Sequence, residues 1–430
     1  MYGTTTEDFL RRVTGGKRMS LEKLGKISNC IFILFFYIIF VLVMGNMTAT
    51  SEIALLLFAP FLLLLWRLGL RFHRRLDKIN YKYASVFLWI VSAVLMLWIM
   101  FGVEVRPAWD WGQLLRSASR YVLKGKIDNL PYYARYTCNQ TWLLCLIVWF
   151  KGVKFIYPDA GFWSFKVASM FLSFFLVQAS MRLIYKSARL IWSEKKAFFV
   201  YLFTALCAPL YLYAQFAYTD APGIFCAALL IYLYLKLMKA EGRKRVLYWG
   251  AIGILAALTW KLKMVIFILV VAILIDAFLK MKNWKKFVVE FFVFLLCCGC
   301  MFGVTTKAVE SKIVISEKQY DKYQFPLTHN IMMALSGVGG YNGADVAYTS
   351  SFPTYEERQE ATVAEIKKRI SEKGLKGMIK HVLGTKLLRT WSDPTMAGNY
   401  YVTIVPKKED GFCAQFFRST GSLHWIFLIY

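Results

Sequence analysis

Two acidic residues lie where apolar runs of this chain end. Asp110 follows the apolar run 84–102, inside the sequence RPAWDWGQLLRSASRYV, and Asp220 lies in AYTDAPG, a tight turn between two other apolar runs. A carboxylate at such a position could act as a general base toward a substrate held at a membrane surface. The residue types also allow Asp110 to be a helix N-cap, and Asp220 to be an ordinary turn and helix-start residue.

Two lysines interrupt an apolar stretch further along the chain. Lys261 and Lys263 lie in LTWKLKMV, and the charge pattern described below puts them on the outer side of the membrane, where loops are usually poor in lysine. Two cations next to a bilayer suit the phosphate of a lipid. The alternative is that both side chains only extend to anionic headgroups.

The composition indicates which elements must position these residues. Of the 430 residues, 58% are hydrophobic and 17% are aromatic, and many apolar runs come near the roughly 20 residues that cross a bilayer. The net charge of +27 would fit a nucleic-acid-binding protein only if basic residues were concentrated on an exposed face. Most of them instead lie in short loops between apolar runs. We therefore expect an all-α, polytopic membrane protein that does not bind nucleic acid.

The basic loops set the predicted direction of each crossing, because loops rich in lysine and arginine stay cytoplasmic. Five basic segments agree with one orientation: 11–26, 67–82, 182–196, 236–245 and 280–286. The predicted outward crossings are 30–46, 84–102, 197–217, 247–260 and 287–304, and the predicted inward crossings are 53–66, 162–181, 221–235 and 264–279. The short apolar run 142–150 then lies in an external loop, and we expect it to form a re-entrant or interfacial helix.

The domain prediction follows from these crossings. Residues 1–304 are expected to form a transmembrane catalytic bundle that includes the external loop 103–161. Residues 305–422 are expected to form an external α-rich domain, and 423–430 to begin a further transmembrane helix. Apolar residues recur at helical spacing after Asp110, which predicts a helix along the interface, with the two flanking tryptophans at headgroup depth.

Three short segments together resemble a known superfamily. In chain order they are YYARYTCNQ, AYTDAP and WKLK, and they follow the external acid. They resemble the polyprenyl-phosphate-dependent glycosyltransferases of the GT-C superfamily, particularly bacterial members related to protein mannosyltransferases. In members whose tyrosine-rich segment ends in Pro-Asn-Asn-Gln, Asn139 and Gln140 match the last two residues, whereas Thr137 and Cys138 replace the first two. The resemblance covers most of 84–393 and implies a GT-C-like transmembrane helix bundle.

The resemblance also implies a role for individual residues. Asp110 corresponds to the catalytic base, Asp220 to the acid of the second motif, and Lys261 and Lys263 to cations near the donor phosphate. Further substrate contacts are expected from Arg135, Tyr136, Asn139, Gln140, His329, Asp345 and Trp391. The last three lie in the external domain, which is expected to cover the active site. A lone histidine or tryptophan is nevertheless more often a packing residue.

The expected reaction needs a base and cations but no strong general acid. A sugar linked to polyprenyl phosphate already carries a good leaving group, so the base deprotonates the acceptor hydroxyl and the cations stabilise the departing phosphate. Direct displacement would invert the anomeric carbon. No metal or other cofactor is expected, and the alternative that the residue types allow is a divalent ion shared by Asp110 and Asp220.

The resemblance implies a substrate class and a location as well. The donor is expected to be a polyprenyl-phosphate-linked sugar, the acceptor a glycan or teichoic-acid-like polymer, and the active site to face the outside of the cell membrane, among membrane lipids. Two other functions fit the same crossings: a flippase or transporter of lipid-linked glycans, and a polysaccharide polymerase or ligase. Transporters usually place ionisable residues near the midplane and often contain internal repeats. Here most acids lie outside the apolar runs, and no repeat is visible.

Overall fold

A computed structural model describes residues 27–39, 64, 67, 78–103, 105–281, 283–391, 411, 412 and 415. The regular structure in these residues is helical, with no β-strand among them. The prediction of an all-α membrane protein is confirmed on this part of the chain. The predicted crossing 53–66, apart from Leu64, and the predicted helix start 423–430 lie outside the described residues.

The helices are numbered here in chain order. They are α1 (Ile27–Ile39), α2 (Tyr81–Val103), α3 (Trp109–Lys124), α4 (Leu130–Arg135), α5 (Gln140–Ile156), α6 (Phe162–Ile191), α7 (Glu194–Leu206), α8 (Ala208–Leu212), α9 (Asp220–Lys239), α10 (Gly242–Leu262), α11 (Phe267–Leu279), α12 (Trp284–Glu310), α13 (Glu317–Tyr323), α14 (Leu327–Ala334), α15 (Gly343–Ser350), α16 (Tyr355–Ile379) and α17 (Leu387–Trp391). A π-helical turn, Lys380–Lys386, joins α16 to α17.

Four of the described helices, α2, α6, α9 and α12, are long and apolar enough to cross a membrane. They contain the predicted crossings 84–102, 162–181, 221–235 and 287–304. The 27 residues of α12 correspond to a helix about 40 Å long at about 1.5 Å per residue, which exceeds the hydrocarbon thickness of a bilayer. The predicted crossings 247–260 and 264–279 lie in α10 and in the shorter apolar segment Met264–Leu279.

The predicted crossing 197–217 is broken in the structure. Helix α7 ends at Leu206, and the segment Ala208–Gln215 continues at an angle of 60° to it. Pro209 lies in the first turn of this second segment. Proline lacks the backbone N–H that a continuous helix would use, and its ring collides with the carbonyl four residues earlier. The hydrophobic pattern therefore located the apolar region correctly but did not show the break.

Contacts at the helix ends show how α9, α10 and α12 run relative to one another. Arg245, near the start of α10, pairs with Glu290, near the start of α12, while Lys261, near the end of α10, donates a hydrogen bond to Thr306, near the end of α12. These two helices are therefore parallel. Helix α9 runs the opposite way, because its first residue, Asp220, pairs with the residue that follows α10. The relative directions agree with the predicted alternation, and the absolute orientation stays a prediction.

The apolar run 142–150 belongs to a longer helix than predicted. Helix α5 extends from Gln140 to Ile156, because the lysines that interrupt the apolar pattern are accommodated within it. The Lys154 ammonium donates to the Ala160 carbonyl, and the Lys151 ammonium lies 5.5 Å from the ring centroid of Tyr121. Its position at the membrane interface stays a prediction.

The helix predicted after Asp110 is confirmed as α3, but its apolar side is covered by protein. Leu114, Leu115 and Ala118 are fully buried, and α3 packs against α5. The periodicity of apolar residues predicted the helix correctly. It did not distinguish a lipid-facing side from one that faces another helix, because both demand apolar residues.

Helices α13 to α16 form the α-rich C-terminal region. Arg358 on α16 is almost fully buried, and its guanidinium donates to the carbonyl oxygens of Lys322, Gln324 and Phe352. One buried cation thereby satisfies carbonyls at the ends of α13 and α15, as a buried charge requires. This region contacts the end of the bundle at which α10 and α12 finish, because α13 packs against α4 and residues of α13 and α14 share a cavity wall with Lys261 and Thr306.

Candidate functional site

Asp110 lies in the first turn of α3, but it does not cap that helix. The N-cap is Ala108, without a side-chain hydrogen bond. The carboxylate accepts two hydrogen bonds from phenols instead: Oδ1 from Tyr132 at 2.6 Å and Oδ2 from Tyr218 at 3.1 Å. The interpretation of Asp110 as an N-cap is therefore wrong, because its side chain faces residues from two other segments.

The backbone before Asp110 turns sharply to aim this carboxylate. Trp109 has a φ of 46°, in the left-handed region that is costly for a bulky residue. A Cβ atom on Gly112 would lie 2.8 Å from the carbonyl carbon of Pro107, so only glycine fits where the chain folds back. Strain of this kind persists where the surrounding structure fixes it, and such positions cluster at functional sites.

The two tryptophans beside Asp110 have different environments. Trp111 is buried, and its ring meets that of Phe216 edge to face with the centroids 5.7 Å apart. Trp109 is 43% exposed. Trp111 therefore packs inside the protein and does not face lipid, while the depth of both rings in the membrane stays a prediction.

Tyr132 and Tyr218 complete a polar network that sequence reasoning missed. Burial, and after it the Asp110 carboxylate, raises the pKa of both phenols well above its ordinary value. Both phenols therefore stay protonated and act as donors. Asn139 is buried and donates from Nδ2 to the Tyr132 hydroxyl at 2.6 Å, while its Oδ1 atom has no partner among the described residues. The sequence feature that could have revealed this network is that Tyr132 lies in the motif YYARYTCNQ and Tyr218 in AYTDAPG.

Asp220 and Lys263 form an ion pair between the first residue of α9 and the residue that follows α10. Both side chains are about one-quarter to one-third exposed. Tyr218 lies within electrostatic range of both Asp110 and Asp220, so this pair stands beside the phenol network. The two lysines predicted to act together are therefore separated, because Lys263 is neutralised by Asp220.

Lys261 instead lines a cavity of about 720 Å³ between the end of the bundle and the C-terminal helices. Of the predicted site residues, those that line this cavity are Arg135, Tyr136, Gln140, Lys261 and His329. Asp110, Asn139, Asp220 and Lys263 lie beside it. The Tyr136 ring contacts both parts, with its centroid 5.2 Å from that of Tyr132 and 6.2 Å from that of Phe325.

Two cations face this cavity. The Lys261 ammonium donates to Thr306 Oγ1 at 2.8 Å and lies 4.0 Å from the ring centroid of Phe302. The Arg135 guanidinium lies 4.9 Å from the ring centroid of Phe325, and its buried Nε has no partner among the described residues. Neither contact neutralises the charge, but Glu310 and Glu317 also line the cavity, and Glu310 lies within electrostatic range of Lys261. An anion would therefore bind to cations in a wall that also contains two carboxylates.

Two neutral side chains of the cavity wall are held in fixed positions. Gln140 donates from Nε2 to the Tyr133 carbonyl at 2.9 Å and to the Tyr320 hydroxyl at 3.0 Å. His329 is buried, and its Nδ1 lies 2.7 Å from Thr349 Oγ1. Burial lowers the pKa of His329, so its ring is neutral at neutral pH. It can exchange a hydrogen bond with a ligand, but it adds no charge to the cavity.

Asp345 and Trp391 are not part of this cavity wall. Asp345 is buried and forms two hydrogen bonds with the guanidinium of Arg369, at 2.6 and 3.0 Å, an arrangement that links α15 to α16. The Trp391 ring meets the Phe36 ring of α1 edge to face, with the centroids 5.6 Å apart. Both contacts are of the kind that holds helices together.

Within the described residues, no group of three or more histidine, cysteine, aspartate or glutamate side chains could hold a metal ion. Asp110 and Asp220, which the residue types allowed to share one, face phenols and a lysine respectively. The absence of a cofactor stays a prediction.

Comparisons with known proteins give one match. No curated protein and no solved structure matches this chain. The model of a family described as conserved hypothetical integral membrane protein matches residues 26–405, which is most of the chain and includes every helix of the site. The protein therefore belongs to this family of integral membrane proteins.

Proposed function

We propose that this protein is a membrane glycosyltransferase that moves a sugar from a polyprenyl-phosphate donor to a glycan or similar acceptor at the outer membrane surface, with inversion at the anomeric carbon. The observation that carries the proposal is the cavity beside the Asp110 network. It combines two cations for a phosphate with an adjacent carboxylate that could accept a proton.

The depth of the cavity supports a lipid-linked donor. It is bounded by Thr306 and Glu310 at the end of α12, whereas Glu290 lies near the start of the same helix. Glu290 and Glu310 are 20 residues apart, which at about 1.5 Å per residue is about 30 Å. This is about the thickness of a hydrocarbon core, and the match supports a position for the cavity at the level of a lipid phosphate.

A neighbouring apolar cavity supports the same class of donor. It has a volume of about 330 Å³ and lies between α5, α6 and α9, with Trp142, Leu176 and Leu262 in its wall. Leu262 stands directly between Lys261 and Lys263 in the chain. An isoprenoid chain in this cavity would bring its phosphate to the cationic end of α10.

Each residue then has a defined part in the reaction. Lys261 and Arg135 bind and stabilise the departing phosphate. Asp110 takes the proton of the acceptor hydroxyl as the new glycosidic bond forms and the bond from sugar to phosphate breaks. Tyr132 and Tyr218 hold the carboxylate in place, and a carboxylate has about four lone-pair positions, so two hydrogen bonds leave room for the acceptor.

The direct test is transfer by the purified protein. Incubation with a radiolabelled polyprenyl-phosphate sugar and a cell-wall glycan should give labelled glycan and free polyprenyl phosphate. The same protein in vesicles should not move intact lipid-linked sugar between leaflets. Movement of the intact lipid without transfer would favour a flippase and contradict the proposal.

The two lysines are expected to respond differently to substitution. Lys261→Ala removes a cation that lines the cavity, so the KM for the lipid donor should rise by about tenfold or more. Lys263→Ala leaves Asp220 without its partner. The effect of Lys263→Ala on the donor KM should largely disappear when Asp220→Asn is added, because no unpaired carboxylate then remains.

Steady-state kinetics of the three variants measure this difference. The matched control is Lys307→Ala, which removes an exposed lysine one residue after Thr306 on α12. Equal donor KM values for the wild type and Lys261→Ala would leave the phosphate role of Lys261 without support.

A further inference from the structure

A second cavity lies at the opposite end of the bundle. It has a volume of about 340 Å³ and is enclosed by the end of α9, the start of α10, the end of α11 and the start of α12. The charged side chains in its wall are Lys239, Glu241, Arg245, Lys280, Lys286 and Glu290. Four helix ends thus meet around a pocket whose described lining is mainly cationic.

The helix starts at this cavity carry more cations than acids, although Glu241 stands at the N-cap of α10 and Asn283 caps α12. The first turns of α10 and α12 contain no acidic residue, although acids are favoured and cations disfavoured at helix N-termini. Lys286 occupies such a position on α12, and no described side chain pairs with its ammonium group. The topology rule explains why cations are numerous at this end of the chain, but it does not require them to converge on a cavity.

The acidic residues in the cavity wall do not neutralise all of its cations. Glu290 is buried and is fully used, since Oε1 accepts from Arg245 and Oε2 from Trp249 Nε1, at 2.8 and 2.9 Å. Lys280 pairs with Asp276, which lies outside the wall. The Glu290 carboxylate is therefore neutralised, and the Lys280 ammonium is shared with Asp276. The Lys286 ammonium has no such partner among the described side chains, and Lys239 donates only to the neutral Leu190 carbonyl.

The spacing of the two cavities matches the thickness of a bilayer. The second lies about 30 Å along α12 from the first, which is about the thickness of a hydrocarbon core. Trp284, the first residue of α12, is 54% exposed beside the pocket. Tryptophan is enriched at the level of the headgroups, which indicates that the membrane surface passes this end of the bundle.

We propose that this second cavity binds the phosphate headgroup of an anionic membrane phospholipid. Its position at the membrane surface favours a lipid over a free phosphate as the source of the anion. Basic pockets between membrane helices commonly hold anionic headgroups. The site is separate from the proposed transfer site, and it would fix α9, α10, α11 and α12 to one another at their basic end.

The test is lipid binding by the full chain in a neutral detergent, measured by native mass spectrometry. Phosphatidylglycerol, phosphatidylcholine and inorganic phosphate are the three probes. Wild-type protein should retain one phosphatidylglycerol with clear preference over phosphatidylcholine. The double variant Lys280→Gln with Lys286→Gln should bind phosphatidylglycerol about tenfold or more weakly, because two charged contacts are lost.

The matched control is Lys244→Gln with Lys285→Gln. These lysines are exposed and lie at the same helix ends but outside the cavity, so binding should change by less than about twofold. Lys280→Arg with Lys286→Arg keeps the charges and should bind as the wild type does, which separates a lost site from a misfolded protein.

Three results would overturn the proposal. They are an unchanged affinity for phosphatidylglycerol in the Lys280→Gln, Lys286→Gln variant, an equal loss in the control variant, and full displacement of the lipid by inorganic phosphate. The last result would mean that free phosphate is the ligand. None of these readouts depends on sugar transfer. A failure of the lipid-binding proposal is therefore distinguishable from a failure of the proposed function.

Discussion

Replacing Asp110 by asparagine is expected to lower sugar transfer by about 100-fold or more, because the amide keeps the size of the carboxylate but cannot accept a proton. The protein should still fold, since Asp110 does not cap α3 and an amide oxygen can keep one phenol hydrogen bond. Donor binding should also remain, because the cations that line the cavity are unchanged. Single-turnover transfer of labelled sugar, together with donor binding, measures the two effects separately.

The matched control for this substitution is Asp128→Asn. Asp128 lies in the same segment of the chain and forms an exposed ion pair with Arg120, so its loss should cost transfer little. A further variant, Tyr218→Phe, removes one of the two donors to Asp110 and should lower the turnover number more than it changes the donor KM. If the Asp110→Asn protein transfers sugar at a near-normal rate, the carboxylate is not the base. The assignment would then have to move to another acid, such as Asp220.

The second large effect is expected on stability, from Glu290→Ala. The buried Glu290 carboxylate accepts from Arg245 and Trp249, and its removal leaves two donors without partners between α10 and α12. Breaking a buried ion pair from one side costs about 3–5 kcal/mol. We expect a much lower midpoint of thermal unfolding in detergent micelles, measured as the temperature at which the helical circular dichroism signal is half lost.

Two further variants decide whether the pairing itself is responsible. Glu310→Ala removes an exposed acid at the other end of α12 and should leave the midpoint nearly unchanged. Replacing both partners, with Glu290→Leu and Arg245→Met, should recover most of the loss, since no buried charge is left alone. An unfolding midpoint of Glu290→Ala close to that of the wild type would show that water already reaches Arg245.

The helices of this fold were largely predictable from the sequence. Apolar runs of bilayer length and basic loops predicted α2, α6, α9 and α12, because a segment that crosses a membrane must be apolar and must satisfy its own backbone. The break between α7 and α8 was missed, although Pro209 marks it. Apolar composition is insensitive to one proline, whereas helix geometry is not.

The site was predictable only in part. Sequence motifs contained Asp110, Asp220, Lys261 and Lys263, but residue types could not show which of them pair. In the tertiary structure Lys263 forms an ion pair with Asp220, 43 residues away in the chain, whereas Lys261 lines the cavity. Opposite charges at a partly dry surface pair whenever their helices bring them into contact, and sequence spacing contains no information about that contact.

The sequence by itself determined that this chain is a bundle of membrane helices, and which of its acids and lysines stand near their ends, because the bilayer imposes length, polarity and charge on each segment independently. Only the tertiary structure decided what those residues face. Asp110 meets Tyr218 across 108 residues of chain and Tyr132 across 22. The physical reason is that a side chain's function depends on its neighbours in space, and those are fixed by helix packing such as that of α3 on α5, not by the local pattern that predicts each helix.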